Sequence, residues 1–300
     1  MTFFELLSTS TPLLVVSCLI LGLLVGSFLN VVVYRVPIML YREWTAQCRE
    51  MLASDDAEPA FADRTAAEFS TFNLMKPDSH CPVCKHKITA LENIPVLSYL
   101  FLRGKCSQCK TGISARYPGV ELTTGLMSAL IAWSFGANWL TVVLLLFTWY
   151  LIVLTLIDYD EQLLPDNITL PLLWAGLLIN TVDLGMGVSL RDAVIGAMAG
   201  YLSLWCFYWS FKLLTGKEGM GYGDFKLLAA LGAWLGWQSL LPIIILSSVV
   251  GAAFGILNVL VVKRDKTAPM PFGPFLAGAG FIMLIWGKQL IAFYQQTFLL

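Results

Sequence analysis

Two aspartates lie at the ends of long apolar stretches of this sequence. Asp158 stands in LIDYDEQLLPD, after one apolar run, and Asp224 stands in GYGDFK, before another. Ionisable side chains at the edge of a membrane-spanning segment are costly, so they usually mark a functional site and face a partner. The two carboxylates are therefore predicted to work together.

A pair of carboxylates can hydrolyse a peptide bond. One acts as the base toward the attacking water, while the other, still protonated, donates to the carbonyl oxygen of the scissile bond. Like charges held close together cannot both ionise, so the pair is expected to share one proton. Its titration would then belong to the pair and not to either residue. This chemistry predicts an aspartic endopeptidase that acts at the membrane.

Two glycines flank Tyr222 just before the second aspartate. Gly221 and Gly223 allow a close approach of the backbone that side chains would forbid, and they are predicted to support the delivery of Asp224 to a substrate strand. Asp224 also lies near a predicted helix N-terminus, where the helix dipole stabilises an anion. It is therefore expected to be the charged member of the pair.

Alternatives remain open at both motifs. Each aspartate could instead cap or terminate a helix, since Asp is a preferred capping residue. Asp166 precedes an apolar run and is predicted to be such an N-cap. Asp160 is a rival to Asp158 for the catalytic role, and Asp158 is preferred because it lies closer to the apolar run.

Four cysteines form two CxxC knuckles separated by the segment 85–105: Cys81, Cys84, Cys106 and Cys109. Two knuckles at this separation let four thiolates surround one tetrahedral ion. Four protein ligands would leave no open coordination position, so one structural Zn²⁺ is predicted, with redox pairing as the alternative. His80 and His86 flank the first knuckle and are expected to be surface histidines.

The composition is that of a membrane protein, with 57% hydrophobic and 13% charged residues. A membrane-spanning helix needs about 20 mostly apolar residues. We therefore predict an all-α polytopic membrane protein with about eight transmembrane helices and a zinc-ribbon-like domain inserted between the first two. The predicted spans are 12–34, 118–136, 139–157, 167–184, 191–213, 224–238, 240–262 and 272–294. A secretory signal peptide is the alternative for the first span, but no Lys or Arg precedes it and no cleavage pattern follows it.

The basic residues predict the orientation, because cytoplasmic loops keep the positive charge. With a periplasmic N-terminus, the loops 35–117, 158–166, 214–223 and 263–271 all face inward. The first and last of these carry most of the Lys and Arg. Both aspartates then lie at the cytoplasmic ends of their helices, where they can meet.

Three domains are predicted from this pattern. Residues 1–34 form the first transmembrane helix, 35–117 form a cytoplasmic four-cysteine domain, and 118–300 form a transmembrane peptidase core. An acidic stretch within 50–70 interrupts the cytoplasmic domain, and no function is assigned to it. Its acidic residues are Asp55, Asp56, Glu58, Asp63 and Glu68.

These motifs together resemble a known family. GYGDFK resembles the GxGD motif of intramembrane aspartyl proteases, and with LIDYDEQLLPD upstream it is similar to the type IV prepilin peptidases. GSFLNVVVYRVP at 26–37, the two knuckles and ISARYPGVE at 113–121 resemble the bifunctional bacterial branch of that family. The five motifs match in the same order across nearly the whole chain.

The resemblance implies an enzyme of the bacterial inner membrane. It would remove the leader of type IV prepilins and type II secretion pseudopilins, and then methylate the new N-terminus with S-adenosylmethionine; no nucleic-acid partner is expected. Asp158 and Asp224 match the family's peptidase pair. The same resemblance implies a methyl-donor site, and the expected residues are Gly104, Lys105, Asn30, Arg35, Arg116 and Glu121.

Three other interpretations stay open. The chain could be a peptidase without methyl transfer, since no glycine-rich cofactor fingerprint supports the second activity. A proton-coupled transporter could use paired aspartates as a relay, but no inverted halves with interrupted helices are visible. A membrane scaffold without enzymatic activity would explain the cysteines alone.

Overall fold

The computed structural model describes residues 7, 9–52, 72–182, 186–261 and 270–298. These residues are helical apart from the connections between helices and the segment with the four cysteines. The acidic stretch and the basic residues Lys263, Arg264 and Lys266 lie outside the described residues. The chain divides into two compact units, Pro12–Leu130 and Ile131–Leu300, the second of which also includes Met1–Thr11.

The first unit is built on two long helices, α1 (Thr11–Leu52) and α3 (Arg116–Phe135). A short helix α2 (Leu97–Phe101) and a 3-10 turn (Leu91–Asn93) lie between them in the chain. The two long helices pack closely at small residues. A Cβ atom at Gly22 would lie 2.8 Å from the Cα of Gly125, and one at Gly26 would lie 2.7 Å from the Cα of Glu121.

The first helix is longer than predicted. The sequence predicts that it ends at residue 34, but α1 continues to Leu52 and includes Pro37. Proline costs a helix one backbone hydrogen bond and a steric adjustment. The residues after it are mostly good helix formers such as Leu, Met, Arg and Glu, which favour continuation. Residues 35–52, which were predicted to belong to the loop, are therefore helical.

The second unit contains six helices among its described residues. They are α4 (Trp139–Glu161), α5 (Asp166–Thr181), α6 (Leu190–Thr215), α7 (Tyr222–Leu235), α8 (Leu240–Val261) and α9 (Gly273–Phe298). The short helix α7 forms the core of the unit, and nearly every residue from Asp224 to Trp234 is buried.

Specific contacts fix the neighbours of α7. Its backbone lies against α6, where a Cβ at Gly200 would come within 2.7 Å of the Leu228 carbonyl oxygen. On the α5 side, the indole N–H of Trp234 donates to the Leu172 carbonyl at 2.7 Å, and the Asn180 amide donates to the Ala233 carbonyl at 2.8 Å. The Trp234 ring also packs on Phe147 of α4, with ring centroids 4.5 Å apart.

Five of the described helices are long and apolar enough to cross a membrane: Thr11–Met51, Trp139–Glu161, Leu190–Thr215, Trp237–Asn258 and Gly273–Phe293. All eight predicted spans coincide with helices, but α3, α5 and α7 do not reach this standard. Helices α5 and α7 have 16 and 14 residues, which is short of the about 20 that a span needs. Helix α3 contains Glu121 and several small polar residues.

The predicted N-cap at Asp166 is wrong by one position. Helix α5 begins at Asp166 and its N-cap is Pro165. Asp166 instead accepts hydrogen bonds at 2.6 and 2.8 Å from the ammonium of Lys226 on α7. This ion pair joins the beginnings of α5 and α7, which both start near the end of α4.

Candidate active site and four-cysteine cluster

Asp158 lies in the last turn of α4 and is 5% exposed. The helix ends just after it, because Gln162 adopts a left-handed conformation with φ of 52° and its N–H donates to the Asp158 carbonyl at 2.9 Å. The chain then turns through Leu164 and Pro165 into α5. The rival residue Asp160 is exposed. The end of α4 thus directs the side chain of Asp158 inward.

The carboxylate of Asp158 is held by the beginning of the last helix. Its Oδ2 accepts a buried hydrogen bond of 2.9 Å from the backbone N–H of Gly273, the first residue of α9. A Cβ at Gly273 would lie 2.6 Å from the same oxygen, a distance that real contacts essentially never show. A side chain at this position would therefore displace the carboxylate of Asp158. The capping alternative thus holds in one respect, since Asp158 caps a helix other than its own.

Asp224 lies in the first turn of α7 and is 7% exposed. The N-cap of α7 is Gly221, and Asp224 donates its own N–H to the Gly221 carbonyl at 3.3 Å. Its Oδ1 is buried and has no hydrogen-bond partner among the described residues. A buried carboxyl oxygen without a partner is costly, and this usually reflects a functional requirement.

Leu164 contacts the residues next to both aspartates. A Cβ at Gly223 would lie 2.6 Å from the Cβ of Leu164, and a Cβ at Gly273 would lie 3.3 Å from its Cδ1. The close approach predicted for Gly223 is therefore present. Gly221 has an ordinary φ of −80°, so it needs no special conformation.

An aromatic cluster fixes the beginning of α7. The ring of Tyr208 on α6 lies 5.3 Å from Tyr222 and 5.7 Å from Phe225, centroid to centroid, and Tyr222 lies 5.4 Å from Phe225. Aromatic pairs at such separations add to the energy of burial. The cluster limits the movement of the turn that carries Asp224.

An apolar cavity of about 660 Å³ lies along helix α8. Two of its lining residues, Met220 and Phe272, directly precede Gly221 and Gly273. Helix α8 supplies most of the remaining wall, including Gly251 and Gly255. The full lining is Met220, Ser248, Gly251, Ala252, Gly255, Ile256, Leu260, Met270 and Phe272. An apolar segment of a substrate could occupy this space.

The four predicted cysteines converge in the first unit, and their sulfurs all lie within 4.8 Å of one another. The Sγ atoms of Cys81 and Cys109 are 3.7 Å apart, and those of Cys84 and Cys106 are 3.9 Å apart. A tetrahedral zinc site with Zn–S bonds of about 2.3 Å needs sulfur separations of about 3.8 Å. The cluster therefore fits a zinc ion, and all four thiols are free of disulfides.

Each knuckle is a tight turn closed by an isolated β-bridge. The bridge between His80 and Lys87 encloses the first pair of cysteines, and the bridge between Lys105 and Gly112 encloses the second. Lys85 donates its N–H to the Cys81 carbonyl at 3.0 Å, and Lys110 donates to the Cys106 carbonyl at 3.1 Å. The repeated geometry presents two sulfurs from each turn.

The two histidines lie outside the sulfur cluster. His80 Nδ1 lies 2.9 Å from the Asp78 carbonyl, and His86 Nε2 lies 3.2 Å from both carboxylate oxygens of Glu92. Glu92 also accepts from the N–H and hydroxyl of Thr89 at 2.8 and 2.9 Å. Hydrogen bonds from Ser107, first, and then from Thr89 lower the pKa of Glu92 to about 2. Glu92 thus connects the two knuckles.

Three of the expected methyl-donor residues make structural contacts in the first unit: Arg35 and Glu121 bind the segment between the long helices, and Asn30 joins the two long helices. The buried guanidinium of Arg35 donates to the carbonyls of Asn73 and Pro77 at 2.9 and 2.6 Å. The carboxylate of Glu121 accepts from the N–H of Val96 at 2.8 Å. The Asn30 amide donates to the Tyr117 carbonyl at 3.2 Å.

The remaining expected residues are not brought to one pocket with these three. Gly104 has a φ of 67° and packs on the Tyr99 ring, while Lys105 forms the bridge of the second knuckle. Arg116 begins α3. A cavity of about 260 Å³ beside the first knuckle is lined by Arg35 but by none of the other five.

Comparisons with known proteins identify the family. Residues 20–135 match the Bacterial Peptidase A24 N-terminal domain, and residues 145–256 match the Type IV leader peptidase family. The chain is 55% identical to the prepilin leader peptidase/N-methyltransferase of Stutzerimonas stutzeri, over 99% of both chains. The chain belongs to the type IV leader peptidase family. The family resemblance predicted from the sequence is confirmed.

Other members of the type IV leader peptidase family are equally similar. The prepilin leader peptidase/N-methyltransferase of Aeromonas salmonicida is 57% identical over 93% of this chain and 92% of its own. The protein of that name from Pseudomonas aeruginosa is 54% identical over 96% of both chains. No solved structure matches this member of the family.

Sequence reasoning missed two residues at the paired aspartates of this leader peptidase family member. Gly273 is 115 positions from Asp158, the group to which it donates, and Leu164 is an ordinary apolar residue in its motif. The available signal was the phrase MPFGPF, in which two prolines enclose a glycine at the entry to the last helix.

Proposed function

We propose that this chain cleaves the leader from type IV prepilins and then methylates the new N-terminus. This is the pair of activities named for its relatives. The observation that carries the peptidase half is the pair of buried carboxylates, Asp158 and Asp224, on helices that start or end beside Leu164. Buried carboxylates that influence each other suit general acid–base catalysis.

The proposed hydrolysis balances with one water. The ionised carboxylate removes a proton from water as its oxygen bonds to the scissile carbonyl carbon, and the protonated carboxyl donates to the carbonyl oxygen. The tetrahedral intermediate then loses its C–N bond. The amine takes the proton held by the first carboxyl, and the second carboxylate recovers a proton from a hydroxyl of the intermediate. One water is consumed, and both groups return to their starting states.

The burial of Asp158, in contrast with the exposure of Asp160, supports Asp158 as the first member of the pair. Gly223 supports the pair by its close approach to Leu164. Gly221 contributes the turn before α7, where its Cα would carry a Cβ only 3.8 Å from Asp224 Oδ2. The apolar cavity along α8, whose lining residues Met220 and Phe272 adjoin Gly221 and Gly273 in sequence, supplies room for an apolar part of the substrate.

We place the enzyme in the bacterial inner membrane with its N-terminus in the periplasm. We propose that the short helices α5 and α7 also lie within the membrane, where longer helices pack around them. Together with α3 and the five long apolar helices, this gives eight spans. The basic loops of the sequence put both aspartates on the cytoplasmic side. Leaders of type IV prepilins and of type II secretion pseudopilins would reach them from there.

The proposed domain organisation follows the sequence boundaries, with 1–34 as the first span, 35–117 as the cytoplasmic zinc-binding domain and 118–300 as the peptidase core. The four thiolates of that domain would hold Zn²⁺ as a closed structural site, similar to a zinc ribbon. Their sulfur separations support this assignment.

The methyl-transfer half uses S-adenosylmethionine, which supplies the methyl group when bound. Gly104, Lys105 and Arg116 are proposed to contact it, because they lie at the second knuckle and at the start of α3. Arg35, Asn30 and Glu121 are proposed to support the site indirectly, because they bind backbone atoms around it.

A test combines both halves in one assay. Purified protein in lipid nanodiscs is incubated with a type IV prepilin, with and without S-adenosylmethionine, and the product is analysed by mass spectrometry. We expect loss of the leader in both reactions and one added methyl mass only with the cofactor. A product that keeps its leader in the wild-type reaction would contradict the peptidase, and cleavage with no methyl mass would contradict the transferase.

A further inference from the structure

We infer that the backbone N–H of Gly273 is a positioning element of the peptidase site: it holds Asp158 as the ionised base and leaves Asp224 as the protonated partner. This inference rests on the proposed function and assigns roles within the pair. It also reverses the expectation from sequence, in which Asp224 was the charged member because it lies near a helix N-terminus.

The surroundings of Asp158 favour a negative charge. Its Oδ2 accepts a 2.9 Å hydrogen bond from Gly273. Gly273 is the first residue of α9, a helix that extends to Phe298. The first N–H groups of a helix have no partner within it, and the helix dipole places partial positive charge there. Hydrogen bonds from a backbone N–H to a carboxylate are stronger than those between neutral groups.

The surroundings of Asp224 favour a proton. Its Oδ1 is buried with no hydrogen-bond partner among the described residues, so a charge on it would be poorly stabilised. A protonated carboxyl at the same place has a free O–H that can donate to an incoming carbonyl oxygen. The Oδ1 atom thus has no partner in the free protein because, when protonated, its O–H group donates to the substrate.

Among the residues that the structure describes, Lys226, Asp160 and Glu161 are the charged groups nearest in sequence to the two aspartates, and they have other surroundings. Lys226 on α7 is paired with Asp166 on α5. Asp160 and Glu161 on α4 are exposed to solvent. Among the described groups that face Asp158 from α9, the donor is a main-chain N–H and carries no titratable proton. The two aspartates therefore differ in the buried N–H donor that α9 gives to Asp158 and in the buried Oδ1 of Asp224 that has no partner among the described residues.

The hydrogen bond between Gly273 and Asp158 also depends on the absence of a side chain at position 273. A Cβ there would lie 2.6 Å from Asp158 Oδ2 and 3.1 Å from its Cγ. Alanine would push the carboxylate off its N–H donor. Gly278, on the same helix, has nothing within 4 Å of a Cβ, so Gly278→Ala is a matched control for the loss of a helical glycine.

The first test compares pH–rate profiles for leader cleavage by wild type, Gly273→Ala and Gly278→Ala. Cleavage requires an ionised base, so the rate rises with pH along the acidic limb of the profile. Removal of the donor destabilises the anion, and we expect Gly273→Ala to move this limb to higher pH. We also expect kcat to fall at least about tenfold at the wild-type optimum, since a hydrogen bond to a charged group is lost.

Gly278→Ala should keep the wild-type profile. If Gly273→Ala lowers kcat with no movement of the acidic limb, the glycine has only a structural role and the inference is overturned. The same holds if Gly273→Ala behaves like the control. If the wild type itself does not cleave, the proposed function fails instead, and the two failures are thereby distinguished.

A second measurement needs no activity and no change at Gly273. Infrared difference spectra are recorded at neutral pH for protein labelled with ¹³C-carboxyl aspartate, comparing wild type with Asp158→Asn and Asp224→Asn. We expect Asp224→Asn to remove a protonated-carboxyl band and Asp158→Asn to remove carboxylate absorption. The opposite pattern would exchange the two roles and overturn the assignment even if Gly273→Ala cannot be purified.

Discussion

The buried carboxylate of Glu121 accepts a hydrogen bond of 2.8 Å from the backbone N–H of Val96. Val96 has a φ of 60°, which a β-branched residue adopts only when its surroundings enforce it. Glu121 therefore holds the turn before α2 against its own conformational preference. This contact gives Glu121 a structural task in the cysteine-bearing unit, where the sequence predicted a contact with the methyl donor.

Substitutions at Glu121 separate these two roles. Gln can still accept the hydrogen bond from Val96 through its amide oxygen, whereas Ala cannot. We expect Glu121→Gln to keep most of the methyl transfer and Glu121→Ala to lose at least about tenfold, with about 1–3 kcal/mol of stability lost for the unsatisfied buried N–H. Methylated product and thermal unfolding would be measured together. Equal losses in both variants would indicate that the charge itself serves the methyl donor.

The four-cysteine cluster is expected to hold one zinc ion per chain, with loss of the metal in Cys84→Ser. Methyl transfer should fall with the metal because the ion closes the fold of its domain, while leader cleavage by the second unit should continue. Zinc is measured by atomic emission beside both activities. Cys48→Ser is the control, since Cys48 is exposed and lies outside the cluster. Full metal content in Cys84→Ser would refute the site.

Glu92 is expected to slow the release of that metal. Its pKa, lowered to about 2 by hydrogen bonds from Ser107 and Thr89, means that the folded state favours its carboxylate. A lowered folded value contributes stability above the unfolded value of about 4.3. That contribution is lost as the pH falls toward 2. We therefore expect Glu92→Gln to release zinc several-fold faster to a chelator at pH 7.

The chelator experiment compares the two proteins at neutral pH. There the carboxylate of Glu92 is ionised in the wild type, and the metal stays bound to the thiolates. Equal rates at pH 7 would show that Glu92 does not connect the two knuckles in solution. Asp78→Asn is a suitable control, because Asp78 forms an exposed ion pair with Lys87 outside the sulfur cluster.

Filling the apolar cavity along α8 is expected to weaken substrate binding. A Cβ at Gly255 would already contact the Met270 methyl group at 3.4 Å, so Gly255→Leu should fill much of the space. We expect KM for a prepilin to rise several-fold with a smaller change in kcat, measured by initial rates of cleavage. Val249→Leu is the control, because Val249 is 62% exposed and does not line the cavity. An unchanged KM would mean that the substrate does not enter there.

Much of this arrangement is predictable from local sequence signals. The apolar runs locate every long helix to within a few residues, except at the end of α1. The helix formers after Pro37 extend α1 to Leu52, beyond the predicted end of the span at residue 34. The cysteine spacing predicts a cluster because each CxxC turn already places two sulfurs close together. The fold then has to bring only the two turns to each other.

The rest depends on contacts that no local pattern encodes. Asp158 is satisfied by a main-chain group 115 positions away, and any residue type offers such a group, so the sequence cannot indicate which one is used. Arg35 and Glu121 are likewise bonded to backbone atoms. The family resemblance implied that they bind the methyl donor, whereas their backbone partners emerge only when the helices and the cysteine segment pack together.

The most direct test of the catalytic pair is the single-turnover rate of leader cleavage by Asp158→Asn, Asp224→Asn and Asp160→Asn. All three variants should be folded, as judged by thermal unfolding. We expect the first two to lose at least about 100-fold, because each removes one half of the acid–base pair, and Asp160→Asn to cleave at nearly the wild-type rate. Wild-type cleavage by Asp158→Asn or Asp224→Asn would contradict the pair, and loss confined to Asp160→Asn and Asp224→Asn would move the first catalytic role to Asp160.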